Sequence, residues 1–164
     1  MGGDSAGADS SWSLQIRSES KVFQRGPYLM GFTTSFRMGQ LLRWSLEAID
    51  PVDVDLDAFM ATAFIDAVRK CLKDGGFAKK EADREEGGTF LVGVHGRLFT
   101  VHDDYQVAEQ VTPYAAVGCG ADVALGVMYA TDHLAPAHRL QVALDAAERH
   151  SAGVRGPFSI ISAR

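Results

Sequence analysis

Lys21-Val22-Phe23-Gln24-Arg25-Gly26-Pro27-Tyr28-Leu29-Met30-Gly31-Phe32-Thr33 decides the fold class of this chain. Two apolar runs flank Gln24-Arg25-Gly26-Pro27, in which Gly supplies a positive φ and Pro a fixed one, so the stretch reads as a β-hairpin. A second hairpin is signalled by Thr89–Val94 and Leu98–His102 around His95-Gly96-Arg97. Helices stand between and after the hairpins. Ser35 is a good N-cap for a first helix carrying Met38, Leu41, Leu42 and Leu46 at helical spacing. A second runs from about Leu56 to Asp74 with one apolar stripe and stops at Gly75-Gly76. Ala121–Ala130 and Pro136–Arg149 read as a later helix pair, Pro136 opening the second of them.

The remaining segments complete the order. Ser10–Ile16 alternates, with Trp12, Leu14 and Ile16 on one face, and reads as a half-buried strand. Residues 77–88 are charged and end in glycine, which reads as a surface loop. Tyr114–Val117 and Phe158–Ile161 read as short strands. Strands, two helices, strands, two helices and a strand is not the one-by-one alternation of a doubly wound parallel sheet. The pattern predicts an α+β chain with mainly antiparallel sheets, a single domain over residues 1–164, and fits a four-layer αββα sandwich.

Composition removes several function classes. The 164 residues carry 16 Lys+Arg against 21 Asp+Glu, a net charge of −5, which argues against a nucleic-acid surface. No apolar run approaches the ~20 residues of a membrane helix. Cys71 and Cys119 make no disulfide framework, and no basic-then-apolar leader appears, so the reading is a cytoplasmic protein. Gly118-Cys119-Gly120 lacks the further glycine and acidic residue of a dinucleotide loop. Histidines 95, 102, 133, 138 and 150 show no helical pairing for a metal. Neither cofactor nor metal is called for.

Several motifs, in order, carry a resemblance. Gly2-Gly3-Asp4-Ser5-Ala6-Gly7, Lys21-Val22-Phe23 and Tyr28–Thr33 resemble the front of proteasome β-type subunits and of the bacterial ATP-dependent protease HslV. Tyr114–Leu125 is similar to that family's Gly-Ser-Gly turn and following helix, and Glu148-Arg149-His150-Ser151-Ala152-Gly153 to its Asp-x-x-Ser-Gly-Gly segment. The chain thus resembles the N-terminal nucleophile (Ntn) hydrolases, in a divergent bacterial or phage-type branch. The resemblance implies the αββα sandwich and amide-bond hydrolysis by residue one of the mature chain, usually Thr, sometimes Ser or Cys, with its own α-amine as base. It implies Lys21 as the cation beside the nucleophile and Asp4 as its partner. It implies a backbone N–H at Ser35 as oxyanion donor, Cys119 for the Ser of the glycine turn, Glu148 and Ser151 for the Asp–Ser pair, and Thr33 as a pocket wall. Phe36, Arg37 and Met38 follow in the neighbourhood that shapes the primary pocket.

The family sets its nucleophile on a strand before this Asp. Two strands and a tight turn need on the order of 15 residues, whereas three precede Asp4. The expectation is therefore an N-terminally truncated chain, its first strand and nucleophile absent and inactive as written. A late start, a shortened chain and a non-catalytic homologue remain open. The resemblance further implies peptide or protein substrates and a homo-oligomer, in the family a ring, and leaves an ATP-dependent unfoldase partner open. The alternatives are a structural or assembly subunit of the same fold, and a small-molecule amidase.

Overall fold

The computed structural model describes residues 1–8, 13–81 and 84–163. In chain order it begins with β1 (Gly2–Gly3), β2 (Ala6–Ala8), β3 (Leu14–Ile16), β4 (Val22–Arg25) and β5 (Tyr28–Phe32). Helix α1 (Phe36–Trp44) follows, then α2 (Leu56–Phe59), a π-helical turn (Met60–Phe64) and α3 (Ile65–Asp74). Next come β6 (Lys79–Glu81), β7 (Arg84–Glu86), β8 (Phe90–Val94), β9 (Arg97–Val101) and β10 (Val107–Glu109). Helices α4 (Ala121–Ala130) and α5 (Pro136–His150) and strand β11 (Ser159–Ile160) end the chain. Among the described residues no helix is long and apolar enough to cross a membrane.

Five strands form one antiparallel sheet in the order β10-β9-β8-β5-β4. Period-two side chains decide its faces. Phe23, Tyr28, Met30, Phe32, Phe90, Val92, Val94, Phe99 and Val101 all join one core, and the register sets Met30 across from Val92 and Val92 across from Phe99. Helices α1 and α3 cover this face with Met38, Leu41, Leu42, Val68 and Leu72, all buried. The other face carries Val22, Gly31, Leu91 and Thr100. Against it lies a second, two-stranded antiparallel sheet, β1 with β11, pairing Gly2 with Ile160 and Gly3 with Ser159. A Cβ on Gly3 would stand 3.0 Å from Val22 Cγ1, and one on Gly2 3.1 Å from Leu144 of α5. The layers are α1–α3, large sheet, small sheet, α4–α5, which is the four-layer α+β sandwich.

Local chemistry accounts for the element ends. The Ser35 side chain accepts from the Arg37 N–H and caps α1. Asp55 does the same for α2 with two N–H groups. Gly26-Pro27 and His95-Gly96 are two-residue hairpin turns, with positive φ at Gly26, His95 and Gly96.

Three expectations change. The charged stretch 77–88 holds the hairpin β6–β7 rather than a bare loop, its register setting Lys79 across from Glu86, Lys80 from Glu85 and Glu81 from Arg84. Tyr114–Val117 makes no ladder; the strand nearby is β10, which extends the sheet by pairing Val107 with Val101. Of the strand expected at Ser10–Ile16, the described residues give β3, which pairs with β2 and leaves Leu14 43% and Ile16 52% exposed on the face expected to be buried. Its expected residues Ser10, Ser11 and Trp12 lie outside the described residues.

Two features of the core are measurable. Gly39, inside α1, lies under the Phe32 ring, where a Cβ would sit 2.2 Å from ring carbons. Overpacking against a rigid ring costs about 1–3 kcal/mol, while helix propensity returns about 1 kcal/mol. Gly39→Ala should therefore lower the urea midpoint with an unchanged m-value. Tyr28 is 1% exposed, donates its hydroxyl to the Ile49 carbonyl, and is pushed up to about 12 by burial, with Asp50 adding to the shift. The unfolded phenol loses its proton first, near 10, so this stabilisation is whole below pH 10 and falls by roughly 2–3 kcal/mol as pH rises to 12. Denaturant titrations at pH 9 to 12 should show that slope in the parent and not in Tyr28→Phe.

Candidate active site

A cleft of ≈ 110 Å³ lies between the two sheets, and Asp4, Lys21, Thr33 and Cys119 all line it. Its inner end is apolar, with Leu91, Met128 and Leu140. Asp4 follows β1 directly, and Lys21 precedes β4 on the facing sheet. Each is thus placed by a strand end, and the pairing crosses from one sheet to the other. Lys21 Nζ donates to Asp4 Oδ1 at 2.8 Å, with side chains 15% and 13% exposed. The other carboxylate oxygen accepts from the Ala6 N–H at 2.8 Å and the Arg155 N–H at 3.3 Å. Three donors on one carboxylate fix its orientation. On the far side of Lys21 stands the Phe36 ring, its centroid 5.7 Å from Nζ; the same ring carries the Arg17 guanidinium at 4.2 Å.

The wall facing this pair is the turn before α4. Gly118 has φ +102, and a Cβ there would meet Thr33 Oγ1 at 3.0 Å. Glycine is needed for the backbone angle and for the close approach. Cys119 is exposed and packs on Gly153, where a Cβ would stand 2.5 Å from its Sγ. Gly153 belongs to the segment after α5, so this thiol, Thr33 and Lys21 share one cleft.

The other candidate residues stand behind the cleft wall. Glu148 gives its carboxylate to the Gly156 N–H at 2.9 Å. Ser151 acts through its carbonyl, which accepts from Arg155 Nη1. Ser35 caps α1, and its N–H donates to the Thr33 carbonyl at 2.8 Å, across Thr34 with φ +70. That is a tight three-residue turn of the rarer, strained kind, and it engages the N–H that an oxyanion would use. Met38 is fully buried in the α1 core, and Arg37 is exposed and bonds the Gly75 carbonyl. Arg155 and Phe36 hold the pair from two sides, through contacts that sequence spacing does not encode. Among the described residues no group of three or more His, Cys, Asp or Glu is arranged to hold a metal.

No family model matches the chain, and no curated protein sequence matches it. Solved structures do. The proteasome-beta-like protein BPH of Thiobacillus denitrificans superposes with a TM-score of 0.74 at 19% identity, over 96% of this chain and 88% of that one. A second BPH structure, in complex with epoxomicin, gives 0.73 at 18% over the same shares. HslV from Trypanosoma brucei gives 0.65 at 13%, covering 96% and 88%. Anbu (ancestral beta-subunit) from Yersinia bercovieri gives 0.62 at 17%, covering 96% and 73%. At these identities the likeness is one of fold.

Asp4→Asn should leave a largely buried ammonium without its counter-charge. Breaking such a pair costs 3–5 kcal/mol when fully buried, and residual solvent reduces this to about 2 kcal/mol here. Equilibrium unfolding of Asp4→Asn beside the double variant Asp4→Asn, Lys21→Met checks it, since removing both charges should recover most of the loss.

Proposed function

We propose that this chain, which has the proteasome-type Ntn-hydrolase fold, is the scaffold and charge support of an amide-bond hydrolase of the N-terminal nucleophile kind. The observation that carries this reading is the Asp4–Lys21 pair, held between two sheets on the lining of a cleft. Asp4 orients Lys21, and the Lys21 ammonium lowers the cost of negative charge developing on a nucleophile beside it. The nucleophile of such an enzyme is a Thr, Ser or Cys exposed at the mature N-terminus. It attacks the substrate carbonyl and gives its proton to its own α-amine. The amine returns that proton to the leaving nitrogen, and water then hydrolyses the acyl-enzyme.

The other candidate groups take supporting roles in this reading. Thr33 forms a wall of the substrate cleft. The Ser35 N–H becomes an oxyanion donor once it leaves the Thr33 carbonyl. Cys119, Glu148 and Ser151 hold the wall behind the nucleophile. The substrate is a peptide or protein in the cytoplasm, and the chain acts as a homo-oligomer. Exposed Leu14, Ile16, Trp44 and Tyr129 are available to subunit contacts. An ATP-driven unfoldase would be a further partner.

The engaged Ser35 N–H favours a second reading, a non-catalytic subunit of the same fold. Intact mass and N-terminal sequence of the protein from its native source separate the two. A chain longer by on the order of 15 residues, with Thr, Ser or Cys exposed, supports the hydrolase; a native start at Met1 supports the second reading. In the nucleophile-bearing form, Lys21→Ala should lower peptide hydrolysis by about 10²–10³-fold. Epoxomicin should block the parent's turnover. Unchanged turnover in a folded Lys21→Ala protein would remove the assignment.

A further inference from the structure

The segment after α5 contains an arginine that faces neither the cleft nor a carboxylate. Arg155 Nη1 donates to three carbonyl oxygens at once: Glu148 at 3.2 Å, Ser151 at 3.3 Å and Val154 at 2.6 Å. Glu148 lies in the last turn of α5 and Ser151 is its C-cap. The final carbonyls of a helix have no partner within it and carry the negative end of its dipole, so a cation is favoured there. The guanidinium therefore folds residues 151–154 into a tight return around itself.

That return delivers the backbone of Arg155 to the residues that follow β1. Its N–H reaches Asp4 Oδ2 at 3.3 Å, and its C=O accepts from the Ser5 N–H at 2.8 Å. Ser5, 5% exposed, adds a hydroxyl bond to the Pro157 carbonyl. Asp4 Oδ1 is thereby left to Lys21. The side chain of Arg155 never touches Asp4; it sets the peptide that does.

We propose that Arg155 is a positioning residue for the Asp4–Lys21 pair. It acts by gathering three carbonyls at the end of α5 so that its own N–H and C=O lock Asp4 and Ser5. Its bearing on catalysis rests on the hydrolase reading above; its effect on Lys21 does not. The Glu148 carboxylate holds Gly156 independently, so loss of the guanidinium loosens this segment without releasing it.

The test reads Lys21 directly. Folded protein is treated briefly with acetic anhydride, and acetylation of Lys21 is followed by peptide mass spectrometry, with Lys70 and Lys73 on α3 as internal standards. An amine clamped by a carboxylate reacts slowly. Arg155→Ala should raise the Lys21 rate about tenfold, because a loosened Asp4 no longer holds the ammonium, and Asp4→Asn should raise it at least as much. Arg155→Lys, whose ammonium has three donors for three carbonyls, should stay near the parent. Millimolar guanidinium ion should return Arg155→Ala towards the parent rate and leave Asp4→Asn unaffected. If Arg155→Ala does not fold, Arg155→Met keeps the apolar stem and should show the same rise. A parent-like Lys21 rate in a folded Ala or Met variant overturns the proposal, as does guanidinium acting equally on Asp4→Asn. Absence of amide hydrolysis in the nucleophile-bearing protein would remove the proposed function and leave the labelling result standing. In an active protein, Arg155→Ala should lower kcat with KM nearly unchanged.

Discussion

The carboxylate of Asp4 joins three parts of the chain that are distant in sequence. One oxygen holds Lys21 from the large sheet; the other holds the start of β2 and the segment after α5. It lies where the two sheets face each other, so its bonds are also the polar joints between layers. Burial makes such a joint demanding. A carboxylate removed from water costs several kcal/mol unless its lone pairs are filled, and here the ammonium and two backbone N–H groups fill them.

The helical half of the fold was readable because its signals are local. Ser35 and Pro136 start helices by their own chemistry, and Gly75-Gly76 stops one. The two long hairpins were readable from alternation and from Gly-bearing turns. The elements that were misread depend on partners instead. Val107–Glu109 is a strand only because β9 offers an open edge. Lys79–Glu86 pairs as a hairpin without the apolar alternation that marks the other two. Tyr114–Val117 has the composition of a strand but no ladder partner among the described residues.

Legibility of the site divides along the same line. Asp4 and Lys21 are distinctive side chains in distinctive local sequences, and the fold brings them to 2.8 Å. Arg155 works through carbonyl oxygens and its own peptide group, and carbonyls have no signature in a sequence. The state of the Ser35 N–H is likewise a matter of one backbone angle at Thr34, where a β-branched residue takes φ +70. A threonine held there is a small store of strain beside the cleft.

The two faces of the large sheet are built from different materials. Towards α1–α3 it presents aromatic and large aliphatic side chains, and most of the big buried residues lie there. Towards the cleft it presents Val22, Gly31 and Leu91, met by glycines and alanines of the opposing layer together with Met128, Leu140 and Leu144. Cohesion between apolar surfaces scales with the area they hide, so the helix-backed half is the firmer body and the cleft side the looser. The chain is in effect a keel with a lighter deck. The deck is held to the keel by fewer large apolar contacts, so the polar bonds of Asp4 carry a greater share of that joint.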